Sequence, residues 1–294
     1  MSPLDLVRLA PLMDRSGGRQ EIAIGLIDGP VAMDHADLSK QHMRQVSSGQ
    51  TAACTLVSSL ACTHGTFVAG ILSARRGSAA PGICPNCTVW VRPIFPENPR
   101  VDGTMPAATP EELAEAIVES IGAGARLLNL SAALVQTSSR GERAIGQALD
   151  YAAHRGVIAV VAAGNQGMLG SSVVTRHPWV IPVAGCDGQG RPTSESNLGK
   201  SIGQRGLRAP GESITSLGTD GKPLTMSGTS AASPFVTGAI ALLWSEFPAA
   251  SAAEVKFAVT RGGRRPRNVL VPPLMDAWAA YQLMASAHHR GGMS

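Results

Sequence analysis

Aromatic side chains are scarce in this chain, at 4% of its 294 residues. The chain also lacks any run of about 18 consecutive apolar residues, which a membrane-spanning helix needs, so the sequence predicts no membrane span. Its charge is nearly balanced, with 25 basic against 21 acidic residues and a formal net charge of +4. That excess is too small to indicate a nucleic-acid partner. Apolar residues still make up 44% of the chain, which is ample for a buried core.

A secretory signal is also missing from the first residues of the chain. The segment Met1–Arg19 carries Asp5 and Arg8 within its apolar part, and these charges interrupt the apolar core that a signal peptide needs. We therefore expect a cytoplasmic location, or an extracellular or periplasmic one if the chain is the mature form of a processed protein.

Short apolar runs alternate along the chain with segments of helical periodicity. This alternation predicts right-handed βαβ units and an α/β fold, with a three-layer, doubly wound, mostly parallel sheet and helices on both faces. In such sheets the functional groups gather at the carboxyl ends of the strands. The predicted strands are 22–27, 88–94, 126–131, 157–163 and 180–185. The predicted helices are 64–75, 110–123, 140–155, 230–247 and 251–260.

Ser230 is the most informative residue of the chain. It lies in residues 227–234 (SGTSAASP), where Gly228 permits a sharp turn and small neighbours leave room for a substrate. The apolar segment that follows predicts a helix with Ser230 at its N-terminus, where free N–H groups and the helix dipole favour negative charge. A hydroxyl in that position is a candidate nucleophile if a base lies near it.

Three other segments offer partners for that hydroxyl. Asp28 ends an apolar strand and precedes a turn. His64 opens residues 64–70 (HGTFVAG), and the helical pattern after it predicts an imidazole at a helix start. Asn165 closes residues 162–165 (AAGN) at the end of another predicted strand. Each residue alone also fits an ordinary role as a turn residue, a surface polar residue or a loop residue. The catalytic interpretation therefore depends on their joint occurrence.

Taken together, these segments resemble the sequence signatures of the subtilisin family, the subtilases, and their order Asp, His, Ser is the family's order. The resemblance spans residues 20–250 and implies a serine endopeptidase that acts on peptide or protein substrates. It divides the chain into an N-terminal extension (1–20), a peptidase domain (21–260), and a linker with a C-terminal helix packed on the same domain (261–294). It gives no indication of the oligomeric state.

The resemblance also assigns a role to each of the four residues. Asp28 would accept a hydrogen bond from His64, and His64 would take the proton of Ser230. Asn165 and the backbone N–H of Ser230 would hold the oxyanion of the reacting peptide bond. Three residues depart from those usual in the family signatures without occupying any of these positions: Phe67, Ala231 and Phe235.

The same resemblance predicts two walls of the pocket for the residue before the cleaved bond (P1). The wall residues are Ser131, Ala132 and Ala133 on one side and Ala162, Ala163 and Gly164 on the other. Because the methyl group of Ala133 stands where glycine is usual in the family, we expect a narrow pocket. The sequence therefore predicts a preference for modest P1 side chains.

We expect no cofactor and no metal. Many secreted subtilases bind calcium in the loop after the His-bearing helix, but here residues 74–82 hold two arginines and no carboxylate or Asn. Four cysteines form two close pairs, which zinc could use: Cys54 with Cys62 and Cys84 with Cys87. Unequal spacings and a family that works without zinc favour two local disulfides, or reduced thiols. A Cys54–Cys62 bridge would brace the region of His64, although disulfides are uncommon in the cytoplasm.

Residues 28–31 (DGPV) and 84–95 resemble one subgroup of the family, the peptidases that trim precursors of ribosomally made peptides such as cyanobactins. Precursor trimming therefore competes with general protein turnover as the expected role. The alternative from a different class is a catalytically inactive subtilase scaffold that binds peptides. A nucleotide-binding α/β protein is disfavoured, because no Gly-x-Gly-x-x-Gly motif follows a predicted strand.

Overall fold

Seven parallel strands form the central sheet, in the order β2-β3-β1-β4-β5-β6-β7. The computed structural model describes residues 1–47, 51–97, 107–131, 138–262 and 270–291. The strands of the sheet are β1 (Ile24–Asp28), β2 (Met43–Gln45), β3 (Val89–Pro93), β4 (Leu127–Leu130), β5 (Ile158–Ala162), β6 (Ile181–Cys186) and β7 (Leu207–Pro210). A separate antiparallel hairpin consists of β8 (Ile214–Leu217) and β9 (Pro223–Met226). The helices are α1 (Pro3–Leu6), α2 (Ala10–Arg15), α3 (Leu60–Ser73), α4 (Pro110–Gly122), α5 (Ser139–His154), α6 (Val173–Arg176), α7 (Lys200–Arg205), α8 (Thr229–Glu246), α9 (Ala252–Arg261) and α10 (Ala277–Gly291).

Alternate residues of the strands belong to two separate cores, one on each face of the sheet. Leu127 and Val160 lie in the core that α3 and α8 share, whereas Leu128 and Val161 lie in the core formed with α4 and α5. Strands that are buried on both faces need apolar residues at every position, which explains why they read as continuous apolar runs. The predicted three-layer α/β fold is therefore confirmed.

Helix α8 lies inside the molecule rather than on its surface. Every residue from Ala231 to Ser245 is buried, and the helix contacts α3 and the strands β4 to β7. A helix that is apolar or small on all sides can be stable only in such a position. Small residues let its neighbours approach closely, since a Cβ at Gly238 would lie 2.5 Å from a methyl carbon of Ile83.

The predicted strands occur as β1, β3, β4, β5 and β6, but β2, β7 and the β8–β9 hairpin were not predicted. These elements are short, and strands such as Leu207–Pro210 mix charged and apolar residues without a clear period. The prediction for α3 was wrong at its start, because the helix begins at Leu60 and not at His64. Ser59 caps it by accepting a hydrogen bond from the Cys62 N–H at 3.0 Å.

The N-terminal and C-terminal segments pack against each other and against this core. Leu9 and Leu12 are fully buried in the core that contains α8. The Ala277 N–H donates to the Val7 carbonyl at 3.0 Å, and Arg8 forms a 2.8 Å ion pair with Asp276. The domain boundaries at 20 and 260 stay a prediction. In the described part of the chain, no helix combines the length and the apolar character needed to cross a membrane.

Candidate active site

Asp28 is the last residue of β1, at the carboxyl end of a strand in the middle of the sheet. Its side chain is fully buried, and its Oδ1 accepts a hydrogen bond from the Gly29 N–H at 2.6 Å. The backbone around it is fixed by the strand pairing, because the Ile94 N–H donates to the Asp28 carbonyl at 2.8 Å. A carboxylate in this position is rigid and shielded from solvent.

His64 lies in the second turn of α3, with Nδ1 2.7 Å from Asp28 Oδ1. The helix backbone lies directly against the segment that follows Asp28. A Cβ at Gly29 would collide with the Ala61 carbonyl, and a Cβ at Gly65 would collide with the carbonyl oxygens of Gly29 and Pro30. Glycine at both positions therefore allows the contact that sets the distance between the imidazole and the carboxylate.

Ser230 is the second residue of α8, and its Oγ lies 2.8 Å from Nε2 of His64. The helix start follows Gly228, whose φ of 134° few other residues adopt. As one of the first residues of the helix, Ser230 has a backbone N–H with no partner within the helix. The structure thus brings Asp28, His64 and Ser230 into one hydrogen-bonded chain, as the sequence predicted.

The charge of Asp28 changes the acid–base behaviour of His64. Burial, the largest single influence, lowers the pKa of His64, but the negative charge of Asp28 and its hydrogen bond together raise the pKa by more. The net pKa of His64 is therefore raised above the ordinary value. Since Asp28 contacts Nδ1, the imidazole keeps Nε2 directed at the hydroxyl of Ser230.

Asn165 follows β5 and faces the start of α8. Its Oδ1 accepts hydrogen bonds from the Thr229 N–H at 2.8 Å and from the Thr229 hydroxyl at 2.9 Å. A backbone N–H can only face the oxygen of an amide, so these contacts fix which way the Asn165 side chain is turned. The hydroxyl of Thr229 in turn accepts from the Gly164 N–H at 3.1 Å. The Nδ2 donor of Asn165 thus comes from a side chain that is held firmly by its other end.

A cleft with a volume of about 550 Å³ adjoins these groups. Of the predicted pocket residues, Ser131, Ala162, Ala163 and Gly164 line it, while Ala132 and Ala133 lie outside the described residues. The described lining also contains residues that the sequence did not predict: Phe95, Val161, Gln166, Ser172, Val174, Asn197 and Thr229. Among the described lining residues, His64 is the one ionisable side chain, so the cleft suits uncharged side chains.

A disulfide joins Cys54 to Cys62, with a Cα–Cα distance of 5.6 Å. It ties the first turn of α3, and so the region of His64, to the preceding segment. Cys84, Cys87 and Cys186 are buried free thiols, so the structure has one bridge where the sequence allowed two. Within the described ranges, the one group of possible metal ligands combines Glu97 with the two bridged cysteines, whose sulfurs are already joined to each other.

The profile of the subtilase family (peptidase S8) matches residues 19–263 of the chain. Subtilisin DY from Bacillus licheniformis is 30% identical over 240 residues, which cover 80% of this chain and 81% of the relative. Among solved structures, the patellamide maturation protease PatA is 28% identical, with a TM-score of 0.73 over 92% of this chain and 98% of that chain. The prenylagaramide maturation protease PagA is 25% identical, with a TM-score of 0.79 over 93% and 97%. Because the family profile covers most of the chain, this protein belongs to the subtilase family and is a serine endopeptidase.

Proposed function

We propose that Ser230 is the nucleophile, His64 the general base and acid, and Asp28 the residue that orients His64. The observation that carries this assignment is the continuous hydrogen-bonded chain, with 2.7 Å from Asp28 to His64 and 2.8 Å from His64 to Ser230. A base must lie within hydrogen-bond reach of the proton that it takes, and both distances meet that condition. We assign Asn165 Nδ2 and the Ser230 backbone N–H as donors to the oxyanion.

The proposed reaction runs through an acyl-enzyme. Ser230 Oγ forms a bond to the carbonyl carbon of the substrate while its proton moves to His64 Nε2, and the carbonyl oxygen becomes an oxyanion. His64 then gives that proton to the leaving amine as the C–N bond breaks. A water molecule next attacks the ester and gives a proton to His64, which returns it to Ser230 Oγ as the ester bond breaks.

We further propose that the substrate is a precursor peptide that the enzyme trims. Two kinds of observation support this. The structural neighbours at 25% and 28% identity are maturation proteases. The described cleft lining is uncharged apart from His64, which favours neutral P1 residues. Because an ionised side chain in such a cleft would lose its hydration without gaining a partner, we expect poor cleavage after Lys, Arg, Asp and Glu.

The assignment of the nucleophile can be tested with a fluorophosphonate probe. We expect the probe to label the wild type and the Ser227→Ala variant but not Ser230→Ala. Ser227 is a matched control, because it is an exposed serine three positions away in the same segment. An unlabelled but folded wild type would instead support the alternative of an inactive scaffold, and labelling of Ser230→Ala would identify another nucleophile.

The proposed substrate class needs a separate experiment. Mass spectrometry of the products from a peptide library and from a folded protein mixture measures both the P1 preference and the requirement for flexible peptides. We expect cleavage of flexible peptides after modest neutral residues. Preferred cleavage after charged residues would contradict the assignment of the uncharged cleft as the P1 pocket, and preferred cleavage after Trp or Tyr would contradict the narrow pocket that Ala133 predicts. Cleavage throughout folded proteins would contradict precursor trimming.

A further inference from the structure

One side chain from a distant loop holds the segment that carries Asn165. Oδ1 of Asn197 accepts hydrogen bonds from the Gln166 N–H at 3.1 Å and from the Met168 N–H at 3.0 Å. Its Nδ2 donates to the Ala163 carbonyl at 3.2 Å and to Gln166 Oε1 at 2.6 Å. The Asn197 backbone N–H adds a bond to the Gly164 carbonyl at 2.8 Å. These contacts reach the segment on both sides of Asn165.

The segment needs such support because it has left the sheet. Residues 163–168 follow the end of β5, and they contain Gly164 and Gly167 at φ values of 104° and 63°, which only glycine adopts readily. Only its first residue still pairs with the sheet, through the bond from the Ala163 N–H to the Val183 carbonyl at 2.9 Å. A carboxamide is well suited to this position, because one short side chain offers an acceptor and a donor together.

The contact is also specific in shape. A Cβ at Gly164 would collide with Nδ2 of Asn197, so the two residues are packed against each other as well as hydrogen-bonded. Other bonds between the two loops use only backbone atoms, such as the Gly167 N–H to the Glu195 carbonyl at 2.7 Å and the Leu198 N–H to the Met168 carbonyl at 3.0 Å. Those two bonds lie beyond Asn165. Before Asn165, the loop contributes the Asn197 side-chain bond to the Ala163 carbonyl and the backbone bond from the Asn197 N–H to the Gly164 carbonyl. Removing the Asn197 side chain leaves only the second of these, so the part of the segment nearest the reacting atoms would be loosened.

We propose that Asn197 is a positioning residue, which acts on the reaction by holding Asn165 at the place where the oxyanion forms. This inference rests on the proposed role of Asn165 as an oxyanion donor. An oxyanion donor is effective only when its position is fixed before the charge develops. Displacement of a reacting group by about 1 Å can lower a rate by about 100-fold. Asn197 therefore affects the transition state through Asn165 rather than by contact with the reacting atoms.

A double-mutant cycle with Asn165→Ala and Asn197→Ala tests this inference, with kcat and KM measured on one chromogenic peptide that the wild type cleaves. For Asn165→Ala we expect a fall in kcat of about 100- to 1000-fold, the magnitude known for the same change in subtilisin, a member of this family. For Asn197→Ala we expect a fall in kcat of about 10- to 100-fold with little change in KM. When Asn165 is already replaced by Ala, Asn197→Ala should change kcat by less than about threefold, because the amide that Asn197 positions is gone.

The two proposals fail in different ways in this cycle. A small effect of Asn165→Ala would overturn the oxyanion role of Asn165 itself. A large effect of Asn165→Ala together with an equal effect of Asn197→Ala in both backgrounds would overturn the positioning role only. If the folded Asn197→Ala variant keeps the wild-type kcat, or if only its KM changes, the positioning role of Asn197 is likewise overturned.

Ser196→Ala provides the matched control for general loosening of the loop. Ser196 is buried next to Asn197, but its hydroxyl accepts from the Gly185 N–H at 2.9 Å, at the end of β6 and away from Asn165. We expect this variant to lower the melting temperature without lowering kcat. If Asn197→Ala does not fold, the same cycle is run with Asn197→Ser, which removes the carboxamide without adding a charge to the cleft, and the same criteria apply.

Discussion

The two sides of the active site are held in place by different kinds of contact. On the His64 side, the α3 backbone packs against the segment after Asp28 with no room for a Cβ at Gly29 or Gly65. The Cys54–Cys62 disulfide ties the same helix turn to the chain before it. Close backbone packing and a covalent bond therefore fix the position of α3, and with it His64, relative to Asp28.

On the Asn165 side, hydrogen bonds from side chains add to the backbone bonds and to the close packing of Gly164 against Asn197. Thr229 holds the amide oxygen of Asn165, and Asn197 holds the segment around it. Hydrogen bonds can be removed one at a time, each at a moderate cost, whereas a steric contact fails as soon as one atom is added. We therefore expect changes on the His64 side to lower the stability of the fold first, and changes on the Asn165 side to lower the turnover rate first.

The largest expected effect is that of Gly65→Ala. Its methyl group would collide with the carbonyl oxygens of Gly29 and Pro30, so we expect a loss of about 3 kcal/mol or more in the free energy of unfolding, with loss of activity. Gly146→Ala in α5 is the matched control, because no atom lies within 4 Å of its added Cβ. That control should stabilise the protein by about 0.5–1 kcal/mol through helix propensity. Urea denaturation measures the free energy of unfolding of both variants. Equal values would contradict the view that close backbone packing holds the His64 side in place.

Removing the disulfide should have the next largest effect. The disulfide joins residues eight positions apart, and removing a bridge that closes a loop of that size lowers the free energy of unfolding by about 2–3 kcal/mol. We expect Cys54→Ala/Cys62→Ala to unfold at lower urea concentration than the wild type. A phosphine reductant should lower the melting temperature of the wild type and leave that of the double variant unchanged. If reduction did not change the melting temperature of the wild type, the disulfide would not contribute to holding the His64 side in place.

A smaller effect, and one on turnover, is expected from Thr229→Val. The substitution keeps the shape of the side chain but removes the hydroxyl that donates to Asn165 and accepts from the Gly164 N–H. Leaving such groups without a partner costs about 1–3 kcal/mol of interaction free energy. We expect kcat to fall about tenfold, which corresponds to 1.4 kcal/mol of that range. Thr237→Val is the control, since its buried hydroxyl in the same helix bonds to Asn129 instead. A similar loss of kcat in both variants would contradict a specific link between Thr229 and Asn165.

The smallest expected effect concerns pH. Asp28 raises the pKa of His64, and a general base must be neutral to accept a proton. The proposed role of His64 therefore predicts that kcat/KM rises with pH through a pKa above about 6.5. In Asp28→Asn the residual activity should reach its plateau at lower pH, since burial alone lowers the pKa. A pH–rate profile whose midpoint lies below 6.5 or does not move in Asp28→Asn would contradict this account.

The stability contributed by His64 should change with pH in the opposite sense to the activity. Its folded pKa is raised, so protonation stabilises the folded state. That contribution is fully present below the unfolded value of about 6.5 and is lost as the pH rises through the folded pKa. Urea denaturation of the wild type and of His64→Ala on both sides of this window isolates the effect, and parallel pH dependence of the two proteins would contradict it.

The sequence was sufficient to predict the fold and the residues that meet in the site, because each of them lies in a short segment with its own local signal. Ser230 and His64 stand beside glycines ahead of apolar helical patterns, and Asp28 and Asn165 follow apolar strands. The parallel sheet then brings the strand ends together, and the second turn of α3 and the start of α8 face them. The roles of these residues remain proposals that the experiments above address.

Other features could not be predicted, because they depend on contacts between distant parts of the chain. Asn197 lies in a turn-rich stretch without periodicity, and nothing near it in the sequence indicates that it contacts Gln166. The start of α3 lies four residues before the predicted one, because the short segment 60–63 has no helical period of its own, although Ser59 is a recognisable cap. The sequence predicted local disulfides or reduced thiols, and it left open that Cys54 and Cys62 are bridged while Cys84 and Cys87 stay free thiols.

The burial of helix α8 has a consequence for self-digestion. An endopeptidase is itself a polypeptide, and a chain must become extended before it can enter a protease cleft. Since every residue from Ala231 to Ser245 is buried, this stretch can be exposed only when the whole core opens. The first autolytic nicks should therefore fall in exposed turns, and the peptide that follows Ser230 should be among the last to be cut.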